Sequence, residues 1–368
     1  MISQQEIRVG IIGTGFMGKA HATGYKMFDI NIGMIASKSM ENAKKTANDF
    51  GVENWTNDWR ELVANPNIDC VDITVPNHLH YEIAMACIKE KKPFLIEKPL
   101  ARNAKEAREI VAAAKENGVL ALYGENMRFK PALVKIKEII DQGGLGDIIM
   151  LRSNEVHNGP FHSKWFWDAD LTGGGAVIDM GIHGLYTLEW IMNSKIKRIY
   201  AETGTLKWDE YCKNGAEDSA VIIVRFENGG MAELIVSWAI TGGMDVRLEV
   251  FGKEGTAYVS TTHDAGGLRV HSHTGYGKSL EELTSLKPHV TSNQGWSFPS
   301  PNDELQQGHA YEVKHFIDCV KGLDMPKSTL EQGLRALELV EAVYESARKG
   351  QPVELAAKNN IDQNLPTY

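Results

Sequence analysis

The chain has 368 residues, 43% of them hydrophobic and 24% charged, with a formal net charge of −9. This is the composition of a folded globular protein large enough for two domains with separate cores, and it argues against disorder. The acidic balance excludes the basic surface that nucleic acids or anionic membranes require, so small molecules are the expected partners.

Residues 1–6 are polar and lead straight into a strand, without the charged segment and apolar core that mark export. No apolar run approaches the ~20 residues of a membrane span. A cytoplasmic location is expected. Cys70, Cys87, Cys212 and Cys319 lack metal-type or redox-type spacing and are expected to be ordinary, mostly buried thiols.

The first 125 residues alternate strand-like and helical patterns, which predicts an α/β domain over 1–125 with a parallel sheet. The strands are expected at 7–12, 30–36, 70–75, 94–96 and 119–123, and the helices at 19–27, 40–49, 81–89 and 103–117. Asn103 and Glu106 resemble a capping box at the start of the last helix. After the first strand comes Gly13-Thr14-Gly15-Phe16-Met17-Gly18, where backbone N–H groups at a helix start can cradle a pyrophosphate. The second strand ends in Ser37-Lys38 rather than in the acid that reads the adenosine ribose, which leans cofactor choice towards NADP. Pro76, Asn77, His78 and His80 follow the third strand, and Glu97, Lys98 and Pro99 the fourth. Strand carboxyl ends of an open α/β sheet are where ligands bind, so both clusters are expected near the cofactor. The His78/His80 pair lacks the further ligands of a zinc site, and no metal is expected.

Beyond residue 123 the texture changes. A helix over 131–142 is followed by a glycine-rich break at 143–147. Strand patterns then run at 148–156, 197–206, 219–226, 231–238, 245–252 and 256–260 with turn signals between them. This predicts an α+β second domain over 126–368 built on a large, mainly antiparallel open sheet. Helices over 309–321 and 329–349 close it, after a loose stretch around 287–303. Gly173-Gly174-Gly175 reads as a flexible lead-in to a helix over 176–190, on which Asp179 and His183 lie four residues apart and so on one face. A carboxylate beside an imidazole is the make-up of a proton-transfer pair.

The order Gly13-x-Gly15-x-x-Gly18, Glu97-Lys98-Pro99 and Gly174-Gly175-x-x-x-Asp179-x-Gly181-x-His183 resembles the Gfo/Idh/MocA oxidoreductases, the family of inositol dehydrogenase and glucose–fructose oxidoreductase. The resemblance spans essentially the whole chain. It implies a dehydrogenase that moves a hydride between NAD(P) and a secondary hydroxyl of a sugar, anhydrosugar or inositol-like polyol. Lys98 is implied as a catalytic or substrate-orienting residue, and Asp179 with His183 as the acid/base pair, His183 being the base in oxidation and Asp179 its orienter. The cofactor would lie against Gly13, Gly15, Phe16, Met17, Gly18, Ser37, Lys38, Pro76, Asn77, His80, Glu97 and Lys98, with a cis Lys98–Pro99 bond as in relatives. Arg128-Phe129 matches another recurring family element without a defined role.

Trp165, Trp167 and Asp168 are expected to give an aromatic wall and a hydroxyl-binding carboxylate, with His157 and His162 as weaker candidates. The strands at 219–226, 231–238 and 245–252 are apolar on both faces, and together with the resemblance they imply a homodimer or homotetramer built on that sheet. The alternatives left standing are a redox-neutral glycosidase that keeps its NAD, and a non-catalytic sugar or dinucleotide sensor.

Overall fold

The computed structural model describes residues 7–241, 243–261, 267–276, 294–297 and 307–355. Its first sheet has six parallel strands in the order β3-β2-β1-β4-β5-β6. These are β1 (Arg8–Ile12), β2 (Asn31–Ala36), β3 (Trp55–Thr56), β4 (Cys70–Ile73), β5 (Phe94–Glu97) and β6 (Ala121–Gly124). Val9, Ile11, Ile12, Ile35, Val71 and Ile73 are all buried, because helices cover both faces of a parallel sheet. Those helices are α1 (Phe16–Met27), α2 (Met40–Asp49), α3 (Trp59–Ala64), α4 (His80–Lys89) and α5 (Ala104–Asn117). β3 and α3 escaped the sequence pattern because neither two nor six residues hold a readable period. Asn103 caps α5 by accepting from the Glu106 N–H, whereas the Glu106 carboxylate accepts from the Arg102 N–H, so only half of the expected box forms.

α6 (Pro131–Asp141) leads into the second sheet, whose nine strands run β14-β13-β12-β11-β7-β10-β9-β8-β15. They are β7 (Ile148–Val156), β8 (Ile196–Gly204), β9 (Ser219–Phe226), β10 (Met231–Ser237), β11 (Asp245–Gly252), β12 (Gly255–Ser260), β13 (Leu268–Ser272), β14 (Gly295–Ser297) and β15 (Val353–Glu354). All neighbours are antiparallel except β7 and β10, which run parallel with Met150 opposite Met231. The expected loose stretch around 287–303 lies outside the described residues except at 294–297, part of which pairs as β14.

Between the sheets lie a short helix, α7 (Ala169–Thr172), a π-helical turn (Val177–Gly181) and α8 (Ile182–Met192). The single helix expected over 176–190 is therefore widened at its start. The chain then returns to the first sheet. α9 (His309–Val320) lays Val313, Phe316 and Ile317 against Val9, Ile11, Ala22 and Tyr25, and α10 (Leu330–Lys349) packs on α5, α8 and β8. Among the described residues no helix is long and apolar enough to cross a membrane, and the four cysteines are unpaired, three of them buried.

Candidate active site

The glycine loop joins β1 to α1 at the point where strand order reverses, beside the end of β4. Gly13 adopts φ +118°, and a Cβ there would come within 2.2 Å of the Thr74 carbonyl oxygen, so this turn admits only glycine. A Cβ on Gly15 would meet nothing within 4 Å, and no side chain caps the helix that starts there. Open space above uncapped N–H groups fits the pyrophosphate of a dinucleotide. Phe16 projects from the loop with 71% of its surface exposed. At the end of β2 the Ser37 hydroxyl hydrogen-bonds the Thr14 hydroxyl at 2.8 Å, while Lys38 is exposed.

The polar residues after β4 and β5 divide in two. Asn77 donates to the Thr172 carbonyl at 2.9 Å and ties the first sheet to the segment carrying the glycine run. His80 and Glu97, both expected at the cofactor, instead turn inward. The buried His80 ring sits with its nitrogens 2.7 Å from the Pro99 and 2.9 Å from the Val75 carbonyl oxygens, bracing the turn that holds Lys98. Glu97 meets His21 Nε2 at 3.1 Å, and the other ring nitrogen of His21 meets Asp72 at 2.9 Å. Burial opposes charge on His21, but the two carboxylates outweigh it and hold its pKa well above the ordinary histidine value. Burial also pushes Glu97 up, yet the hydrogen bond and charge of His21 bring it down to about 2.

His309 and Glu312 complete this buried group, with potential ligand atoms of all four residues within 4.8 Å of one another. The same spacing lets the four groups share protons. The Asn126 amide, anchored on the Gln307 carbonyl, donates to His309 Nε2, which leaves the His309 proton on Nδ1 facing Glu312. Burial pushes the Glu312 carboxyl well up. The group joins α1, β5 and α9.

Lys98 directly follows β5 and is joined to Pro99 by a cis bond. Its ammonium donates to the Asp179 carboxylate and to the Asp179 carbonyl, each at 2.8 Å. Burial works against this charge, but Asp179 overrides it and the Lys98 pKa is raised. Burial likewise opposes the Asp179 carboxylate, and the charge of Lys98, with the His157 ring close by, holds it far below the usual range. The second Asp179 oxygen accepts from Trp238 Nε1 at 3.0 Å, with His157 Nε2 3.6 Å away.

With Asp179 so occupied, it does not orient His183. That expectation is corrected: His183 Nδ1 lies 2.6 Å from the carboxylate of Glu125, which is wholly buried just after β6. The glycine lead-in is not flexible either. A Cβ on Gly174 would strike the Tyr344 hydroxyl and one on Gly175 the Glu217 carbonyl, at 2.0 and 1.9 Å. Glu217 accepts from the Gly175 and Val177 N–H groups and from Tyr344, fixing the start of the segment that bears Asp179 and His183.

Trp165 stacks on Phe166 with ring centroids 3.9 Å apart, and His162 sits between Phe166 and Phe16, so an aromatic wall does face the glycine loop. Trp167 is instead core, packed on Trp238. Asp168 departs from its expected role: it caps α7 through the Asp170 N–H and accepts from Asn214. Arg128 lies half-buried over the Trp190 ring and donates to the Lys327 carbonyl, while Phe129 packs inside against His315. Sequence reasoning missed Glu125, although its place directly after a strand was a usable signal. Glu217 and Trp238 carried none, because chain folding alone brings them to the site.

Two family models cover most of the chain: an oxidoreductase family with an NAD-binding Rossmann fold over residues 7–125, and a GFO/IDH/MocA C-terminal domain over 133–258. The myo-inositol 2-dehydrogenase of Thermotoga maritima is 28% identical over 350 residues, covering 95% of this chain and 98% of its own. The levoglucosan dehydrogenase of Pseudarthrobacter phenanthrenivorans is 26% identical over 396 residues, covering 94% and 97%. Among solved structures, GenD2 from gentamicin A biosynthesis, in complex with NAD, superposes with a TM-score of 0.80 at 28% identity, covering 96% of this chain and 97% of its own. A levoglucosan dehydrogenase complex with NADH and levoglucosan gives 0.81 at 25% identity, covering 95% and 99%. Motifs, both sheets and these matches agree over the same residues, and the chain belongs to the Gfo/Idh/MocA family of NAD-binding oxidoreductases.

Proposed function

We propose that this chain oxidises a secondary hydroxyl of a sugar, anhydrosugar or inositol-like polyol with NAD(P), or reduces the matching ketone. The observation that carries the reading is the Lys98 ammonium, clamped by Asp179 beside the strand ends, with His183 one turn further along the same segment. The names of the relatives, which include inositol, levoglucosan and D-glucoside dehydrogenases, support the substrate class.

NAD(P), when bound against the loop Gly13 to Gly18, supplies the hydride acceptor. The substrate carbinol carbon gives up its hydrogen with the electron pair, and its hydroxyl gives up a proton, leaving a ketone. Lys98 holds the hydroxyl oxygen and stabilises the charge that develops as the proton leaves. His183 takes that proton, work for which an imidazole is suited. Asp179 keeps Lys98 in place and charged; itself held firmly ionised, it makes a poor base. Trp165 and Phe166 wall the substrate off from water.

On this reading 1–125 is the dinucleotide domain and 126–368 the substrate and oligomerisation domain, in a cytoplasmic homodimer or homotetramer. NADP is favoured, since no acid at the end of β2 repels a 2′-phosphate and the exposed Lys38 lies there to meet it. A contact of this kind is worth roughly 1.5–3 kcal/mol, about a ten- to hundredfold preference. The test is a panel of inositols, aldoses, anhydrosugars and glucosides with each nucleotide, read by absorbance of the reduced nicotinamide. Turnover of none in either direction refutes the dehydrogenase. Equal affinities for NAD and NADP that ignore Lys38→Ala refute the role of Lys38.

A further inference from the structure

We infer that Glu125 is the positioning residue of the base: it fixes His183 with Nδ1 protonated and Nε2 free to take the substrate proton. The inference rests on the dehydrogenase reading and adds to it a residue outside the motifs that mark the family.

The geometry divides the site into two separate pairs, an ion pair and a hydrogen bond. Lys98 and Asp179 form one, with both Asp179 oxygens spent on Lys98 and Trp238. His183 and Glu125 form the other at 2.6 Å, the length of a strong charge-assisted hydrogen bond. Glu125 is fully buried, and among the described residues its second oxygen has no partner. A buried carboxylate can only accept from Nδ1, so Nδ1 must carry hydrogen and Nε2 is left as the acceptor. When His183 takes the substrate proton, the resulting imidazolium already has its counter-charge in a dry setting, where such a charge counts most.

The surroundings of Glu125 fit this role. Lys130, itself buried, donates to Thr261 Oγ1 and feels the charges of Glu155 and Glu125. Glu155 is buried on β7 with its side chain against Gly184, the residue next to His183. Burial pushes the Glu155 carboxyl up, away from its charged form. His309 also lies within electrostatic reach of His183, and burial pushes its pKa down to about 3, so it brings no competing charge. Glu125 is thus the anion facing His183 among these groups.

Two measurements test the inference. In ¹⁵N-histidine protein, with His183 assigned through His183→Asn, a nitrogen–proton correlation spectrum should show a protonated Nδ1 and bare Nε2. The pattern should survive Asp179→Asn and be lost or reversed in Glu125→Gln. With the best substrate of the panel, Glu125→Gln should lower kcat about 100- to 1000-fold, the scale of general acid/base catalysis, with KM and nucleotide affinity held within about threefold. Glu125→Asp keeps the charge but falls short of Nδ1, and should give an intermediate loss. Unchanged nucleotide affinity establishes that the variants fold.

A resting His183 protonated on Nε2 overturns the inference. So does a Glu125→Gln enzyme with near wild-type kcat while His183→Ala is inactive, an outcome that leaves the dehydrogenase reading intact. A wild type that turns over no polyol defeats the dehydrogenase reading, and the tautomer spectrum then decides the Glu125–His183 arrangement without any substrate.

Discussion

Two cations in different settings share the proposed chemistry: Lys98, charged before substrate arrives, and His183, charged only once it has taken a proton. Their removal should therefore look alike in rate and differ in cause. His183→Ala and Lys98→Ala are each expected to lower turnover by about two to four decades, with nucleotide binding nearly unchanged. A His183→Ala enzyme of near-normal rate would move the base to Lys98 or to water. Asp179→Asn is expected to reduce kcat as well, because Lys98 would lose the carboxylate that anchors it against the cost of burial. Retention of full activity there would show that Lys98 positions itself.

At the level of elements, the site depends on how helix starts and strand ends are tied together. Glu217 satisfies two N–H groups at the head of the segment bearing Asp179 and His183. Glu217→Ala leaves the buried Val177 N–H without an acceptor and the Gly175 N–H with only the Tyr344 hydroxyl, and should destabilise the fold by roughly 1–3 kcal/mol in urea unfolding, and lower kcat with it. An unchanged midpoint would show that water replaces the carboxylate.

The His21 network makes a pH-dependent tie between α1, β5 and α9. His21 is raised above 6.5, so its contribution is complete below pH 6.5 and is lost as pH climbs through its folded value. Glu97 is lowered from 4.5 to about 2, so its contribution is complete above pH 4.5 and is lost as pH falls towards 2. The stability difference between wild type and His21→Asn should accordingly peak between these limits and shrink on both sides. A difference flat from pH 4 to pH 9 would count against the ion pair.

At the scale of the whole molecule, the described residues leave one large face bare. On the second sheet Val221 and Ile223 are each 52% exposed, and Met150, Met231 and Ile235 join them on the same side, crossed in the middle by Arg152 with Glu233 and Glu249. The opposite faces of β9 and β10 are buried against α8 and its neighbours. An exposed apolar band of this kind is expected to be covered by a second copy of the chain. Light scattering at micromolar concentration should return a multiple of 40.8 kDa, and Ile223→Glu should lower it. A wild-type mass of one chain would refute the assembly.

How much the sequence determined depended on how local each cause was. The glycine loop, the strand–helix alternation and the Glu97-Lys98-Pro99 turn were legible because a βα unit is built from neighbours, and its ligand-facing ends follow from strand direction. Spacing also put Asp179 and His183 on one segment, but it could not say what each would touch. Their partners come from elsewhere: Lys98 from β5, Trp238 from the end of β10, Glu125 from the end of β6. The inward turn of His80 and Glu97 and the return of α9 to the first sheet belong to the same class. A buried charge takes the nearest opposite charge that three-dimensional packing supplies. That choice, which separates the Lys98–Asp179 pair from the His183–Glu125 pair, was made only by the tertiary structure.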